Sequence, residues 1–304
     1  MFNNFFKRRI FYIRFRPKRF TIKDYIINTF LRTRFQIIRI FRSNKLKNNS
    51  PVTKRGYNLV FSDDFNDISW RNDANHQKWI VGEGWGLFHP TKPNVYYGEP
   101  ELISNKSLAK FTVKYKPKEF NDPSTNKPIK IPFEVSLLST EPFFKQQYGR
   151  FECRMTLPKG VGVWPAFWLW GSTWPPEIDV IEAYGEYNGL DTRYQNINIH
   201  FGNNGENRTD LGTCIVKIDN KKGVGVNFHE FVVEWSPKKI AFYTDGIKIL
   251  QFTGKKLLNL WYNQPNAMTW IVINHSLRNG FISNDDSSFY SEFLVDYIRA
   301  YEIN

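Results

Sequence analysis

"WPAFWLWGSTWPPEIDVIEAYG", residues 164–185, sets Glu177, Asp179 and Glu182 within six positions, directly behind a run of tryptophans. Carboxylates repel one another and are costly to bury, so the placement needs a reason. Read as a β-strand, "EIDVIE" sends Glu177 and Asp179 to one face, because successive side chains alternate. Glu182 lies an odd number of positions beyond Glu177 and would point to the opposite face. One extra residue in the strand, a β-bulge at Val180–Ile181, restores the parity and gathers all three acids on one side. The spacing therefore predicts a bulged strand with its acids facing one cleft. A solvated edge strand could carry the same letters, and the apolar flanks weigh against it.

On either side the chain continues in short alternating runs. "YNLVFSDDF", "SLAKFTVKYKP", "QYGRFECRMTL", "YQNINIHFG", "HEFVVEWS", "KIAFYTDGIKILQF", "MTWIVINHSL" and "EFLVDYIRAYEI" are separated by clusters of Gly, Pro, Asn and Asp. Asp245–Gly246 is a hairpin signal. No long helical periodicity follows residue 57, so the expected class is all-β, a β-sandwich over residues 57–304. In "QYGRFECRMTL" the alternation puts Phe151, Cys153, Met155 and Leu157 on one face, and Cys153 reads as a core residue. The four-proline stretch "PKEFNDPSTNKPIKIP", residues 117–132, reads as a long loop. Trp168 and Trp170 read as core packing.

Residues 1–56 differ in kind. They hold sixteen Lys and Arg against the single acid Asp24, a net of +15, whereas the remaining 248 residues carry a net of −2. Arg14 interrupts the apolar run from Ile10 to Ile13, so no secretory signal is recognised, and no stretch approaches the ~18 apolar residues of a membrane span. From Ile22 apolar residues recur among arginines, as in a basic amphipathic helix. A helical or disordered basic arm ending in the linker "SNKLKNNSPVTKRG" is expected. Its expected partner is an anionic membrane surface, with nucleic acid less favoured. A monomer is expected, and location is left open. Two cysteines and five histidines, without ligand spacing, give neither a disulfide framework nor a transition-metal centre.

Two close carboxyl groups, one protonated and one ionised, are the equipment of glycoside hydrolysis, and mutual repulsion separates their pKa values accordingly. Aromatic residues make up 17% of the chain, which suits either sugar stacking or a β-rich core. "GVWPAFWLWGSTWPPEIDVIEAYG" closely resembles the signature of glycoside hydrolase family 16, in the bulged E-x-D-x-x-E subset of laminarinases, agarases and carrageenases. The likeness extends from "LVFSDDFND" to "FLVDYIRAYE", in order, over nearly all of residues 57–304.

The resemblance implies a jelly-roll sandwich with a concave substrate cleft. It implies a retaining endo-β-glycanase with Glu177 as nucleophile, Glu182 as general acid/base and Asp179 bonded to the nucleophile. It places Trp164, Trp174 and His200 against the sugar, and Asp296 at a structural calcium site found in some relatives. No cofactor is required for the chemistry. β-1,3-Glucan is the first expected substrate and a galactan the second. A transglycosylase using the same residues, or a non-catalytic carbohydrate-binding or membrane-tethered protein, are the alternatives. The chain departs from the family pattern in its basic arm and in "WPPE", which lacks a glycine before the first Glu.

Overall fold

The structure is a computed structural model that describes residues 26–31, 33–34, 56–66, 77–83, 86–88, 94–122, 125–171, 176–186, 191–201, 209–210, 214–218, 227–253, 267–278 and 280–304. In chain order the strands begin with β1 (Tyr57–Asp63), β2 (Ile80–Val81), β3 (Val95–Gly98), β4 (Glu101–Ile103), β5 (Leu108–Asn121) and β6 (Pro128–Ser139). They continue with β7 (Gly149–Met155), β8 (Val163–Gly171), β9 (Glu177–Glu182), β10 (Tyr194–Phe201), β11 (Thr209–Asp210) and β12 (Cys214–Lys217). The last are β13 (His229–Ser236), β14 (Lys239–Thr244), β15 (Ile247–Phe252), β16 (Thr269–Leu277) and β17 (Tyr290–Ile303). A 3₁₀ turn at Ser104–Lys106 is the only helical element after residue 56 among the described residues.

The strands form the two layers of a jelly-roll sandwich. One layer runs β6–β16–β8–β9–β10, with β2 outside β6 and with β11 and β12 beyond β10. The other runs from β5 and β1, both lying along β17, through β7, β13 and β14 to β15. β6 serves both layers: Ile129 to Val135 pair with β5, and Leu137 to Ser139 pair with β16. Among the described residues all strand pairings are antiparallel except that of β3 with β6.

Period-two alternation explains the packing. Phe167 and Leu169 of β8 meet Phe151, Cys153 and Met155 of β7 in one core, all fully buried. Each such side chain contributes about 1.5–3 kcal/mol relative to leaving it in water. Asp245 and Gly246, both at positive φ (51° and 72°), close the β14–β15 hairpin as the Asp-Gly signal predicts.

The proline-rich stretch is not a loop. Residues 117–121 and 128–132 are strand, the two arms of the β5–β6 hairpin. The reason is positional: Pro117 lies inside the register shift between Tyr115 and Lys118, Pro132 lies opposite that shift, and Pro128 opens its strand. Those are the places where a missing N–H costs no ladder bond.

Of residues 1–56, the described part of the arm is helical at 26–31 and 33–34. Asn28 is fully buried and its Oδ1 accepts the N–H of Gln251 in β15 at 2.9 Å. The helix therefore touches the sandwich at the strand that ends one layer. Its Ile26 and Phe30 remain 60% and 66% exposed. No helix among the described residues is long and apolar enough to cross a membrane.

Candidate active site

The three acids reach one cleft because β9 carries an extra residue. Asp179 lies opposite Trp168 of β8 and Asn198 of β10, whereas Glu182 lies opposite Ala166 and Asn196. Three steps along β9 thus match two along each neighbour, which is a bulge. Val180 and Ile181, adjacent in sequence, are both fully buried in the core between the layers. The bulge falls at the pair that the parity of the acids requires. Glu177, Asp179 and Glu182 all line a cavity of about 140 Å³, together with Trp164, Trp168, Trp170 and Asn274.

Neighbouring strands fix each carboxylate. Trp164 Nε1 donates to Glu182 Oε1 at 3.0 Å, and Asn198 Nδ2 donates to Glu182 Oε2. The Tyr184 hydroxyl is also hydrogen-bonded to Glu182. Burial, followed by the charges of Glu182 and Asp179, pushes the Tyr184 phenol far above its ordinary pKa, so it stays a donor. Asn196 Nδ2 donates to the backbone oxygen of Glu182 at 2.9 Å. His200 Nε2 lies 3.2 Å from Asp179 Oδ2. Glu177 is half-buried at the entrance to β9, opposite Trp170 and His200. Glu182 and Asp179 are only 8% and 4% exposed, which keeps bulk water from their far sides.

The expected residues are placed as follows. Trp164 lies in the cleft, half-buried against Tyr184 with ring centroids 5.7 Å apart. His200 stands beside Asp179, not in the core. Trp174 lies outside the described residues. Trp168 and Trp170 line the cleft, where they pack half-buried against a second apolar cluster that includes Val135, Leu137, Trp270 and Val272, and not against the core between the layers. The strand's own alternation explains this: Phe167 and Leu169 take the core face, so 168 and 170 must take the other. Trp168 is fixed there by donating Nε1 to Asn274 Oδ1 at 2.8 Å.

Asp296 lies in the other layer, 4% exposed, with its carboxylate in an ion pair with Arg154. A guanidinium already supplies the positive charge there, which does not suit a calcium ion. Among the described residues, Glu177, Asp179 and His200 form the only group of three such side chains whose ligand atoms all lie within 4.8 Å of one another, and these are the cleft residues themselves.

Several cleft residues escaped the sequence reading. Asn274 and Ser276 come from β16, and Glu83 and Tyr97 from the far side of β6, with Tyr97 donating to Glu83 at 3.3 Å. Only long-range pairing brings these together. The two residues that bond Glu182 from β10, Asn196 and Asn198, did leave a signal, because two asparagines within three strand positions run against strand preference.

Geometrically, the cleft offers a half-buried carboxylate at the start of β9. It also offers a second, triply hydrogen-bonded one at the end of β9, and an aromatic wall between β8 and the solvent. The chain is 27% identical to an endo-1,3-1,4-β-glycanase of Rhizobium meliloti over 257 residues, covering 81% of this chain and 52% of that protein. It thus spans about half the length of that relative. It is 25% identical to a β-glucanase of Rhodothermus marinus, covering 81% of this chain and 85% of the relative. The fold superposes on the laminarinase catalytic domain of Thermotoga maritima with a TM-score of 0.59 at 23% identity, covering 82% of this chain and 99% of that one. The pattern that defines glycosyl hydrolases family 16 matches residues 104–298, which is more than half of the sequence, and the chain belongs to that family.

Proposed function

We propose that the protein is a retaining endo-β-glycanase, with β-1,3-glucan as its first substrate and a galactan as the second. The observation that carries this reading is the bulge at Val180, which turns Glu177, Asp179 and Glu182 into the same cleft. The names of the relatives from Rhizobium meliloti and Rhodothermus marinus support the substrate class.

In this reading Glu177 attacks the anomeric carbon while Glu182 protonates the departing glycosidic oxygen. Glu182 then takes a proton from water, which releases the sugar from Glu177 with its configuration retained. Asp179, held by His200, orients Glu177. Trp164 and Trp168 offer ring faces to the sugar, and Trp174 belongs to the same set by resemblance. Calcium has no part in these steps. Residues 1–56 form, in the same reading, a basic arm that attaches the enzyme to anionic lipid.

Reducing ends released from laminarin, mixed-linkage β-glucan and a galactan panel test the assignment. Glu177→Gln and Glu182→Gln should each lower turnover about 10²–10⁴-fold without unfolding the domain. The first-formed product should carry the β-anomer by NMR. Wild-type turnover in either Gln variant, or an inverted product, overturns the mechanism. Longer oligosaccharides accumulating in place of hydrolysis products would reassign the protein as a transglycosylase.

A further inference from the structure

A bulge leaves the backbone groups of its extra residue outside the ladder, and inside a core those groups need another partner. Here the partner is a side chain. Gln195 Nε2 donates to the backbone oxygen of Val180 at 2.8 Å. Thr244 donates its hydroxyl to Gln195 Oε1 at 2.6 Å. Gln195 belongs to β10 in the cleft layer, and Thr244 closes β14 in the other layer, beside the Asp245–Gly246 turn. Both side chains are fully buried.

The placement is unusual on physical grounds. Gln195 shares its face with Ile197 and Ile199, so an aliphatic residue would fill the position without any polar cost. The amide is tolerable only because each end is bonded, its N–H₂ to the bulge and its oxygen to Thr244. The next residue, Asn196, bonds the backbone oxygen of Glu182 from the same strand. The bulge is therefore pinned at Val180 and again at Glu182.

We propose that Gln195 and Thr244 are positioning residues that hold β9 in its bulged register and so aim Glu182 at the cleft. This rests on Glu182 being the acid/base of the glycanase reading. Without the strut the extra residue has no fixed partner, and β9 samples arrangements in which the Glu182 carboxyl turns from its mark. Misplacement of about 1 Å in a reacting group costs up to 10²-fold in rate.

The test compares Thr244→Val, Thr244→Ser and Gln195→Met with the wild type, in the full-length chain. Steady-state kinetics on laminarin is one readout, and deuterium exchange at the amides of residues 180–182 is the other. Thr244→Val and Gln195→Met should lose about 10–100-fold in kcat with KM within a factor of two. Both should exchange faster at 180–182, and the Thr244→Ser variant should resemble the wild type in both readouts. A merely structural strut would lower the melting temperature yet leave kcat per folded molecule at the wild-type value, and that result overturns the proposal. Unchanged exchange at 180–182 in both disruptive variants overturns it as well. If the wild type itself releases no sugar from any β-glycan, the glycanase reading fails. The strut is then judged by exchange alone, where faster exchange supports register control and unchanged exchange ends it.

Discussion

Asn274 and His275 are neighbours on β16 that face opposite ways, and their surroundings differ accordingly. Asn274 bonds Trp168 at the cleft wall. His275 is fully buried in the core, with Nε2 3.0 Å from Ser291 Oγ and the ring of Phe293 at 5.2 Å. Burial pushes the pKa of His275 down to about 3 from its ordinary 6.5. The sign of the consequence follows from proton counting. Between those two values the unfolded chain binds a proton at this position and the folded chain does not. Stability from this residue is therefore complete above pH ~6.5 and is lost progressively as pH falls toward 3. Urea unfolding of the wild type and of His275→Asn, run from pH 7 to pH 4, should show their stability difference changing by about 1.4 kcal/mol per pH unit below 6. A pH-independent difference would mean that His275 titrates normally.

The approach to β8 and the exit from β9 touch at a point where no side chain fits. The N–H of Gly185 donates to Val163 O at 2.9 Å and its carbonyl accepts from Gly162 N at 3.1 Å. A Cβ at Gly185 would stand 1.9 Å from the backbone oxygen of Gly160. Gly185→Ala should therefore cost about 1–3 kcal/mol of stability, read as a lower urea midpoint at unchanged slope. A midpoint equal to the wild type would show that the two segments part freely.

The same pair of strands shows what the sequence could and could not say. The bulge was legible because three acids offered only one arrangement that kept them out of the core. The face of Trp168 and Trp170 was misread because both faces of β8 are apolar, and hydrophobicity alone cannot choose between them. Strand parity from Phe167 would have chosen correctly. The prolines of 117–132 were misread because their tolerance depends on where the neighbouring strand shifts register, which no local pattern records. Asn274, Glu83 and Tyr97 enter the cleft by pairings between distant segments.

Charge is divided across the molecule as sharply as structure is. The +15 of residues 1–56 sits on the arm, whereas the domain beyond is nearly neutral. The arm's helix meets the sandwich at β15, through Asn28, and turns Ile26 and Phe30 outward. An outward apolar pair on a cationic segment fits the surface of an anionic bilayer. Full-length protein should sediment with phosphatidylserine vesicles at low salt and be released as ionic strength rises. Doubly substituted Ile26→Asp, Phe30→Asp protein should bind at least several-fold more weakly while hydrolysing soluble substrate normally. Binding that ignores both salt and these substitutions would disprove attachment through the arm.

β17 is the last of the described strands in the sequence, yet it lies within its layer, bonded to β1, β5 and β7. During synthesis β1, β5 and β7 therefore emerge before the strand that bonds all three. Until then the apolar faces of Phe111, Phe151 and Cys153 have no Phe293, Val295 or Ile298 against them. The sandwich can thus close only once residues 290–303 have emerged, and until then it exposes apolar surface of the kind that makes partly folded chains prone to aggregate.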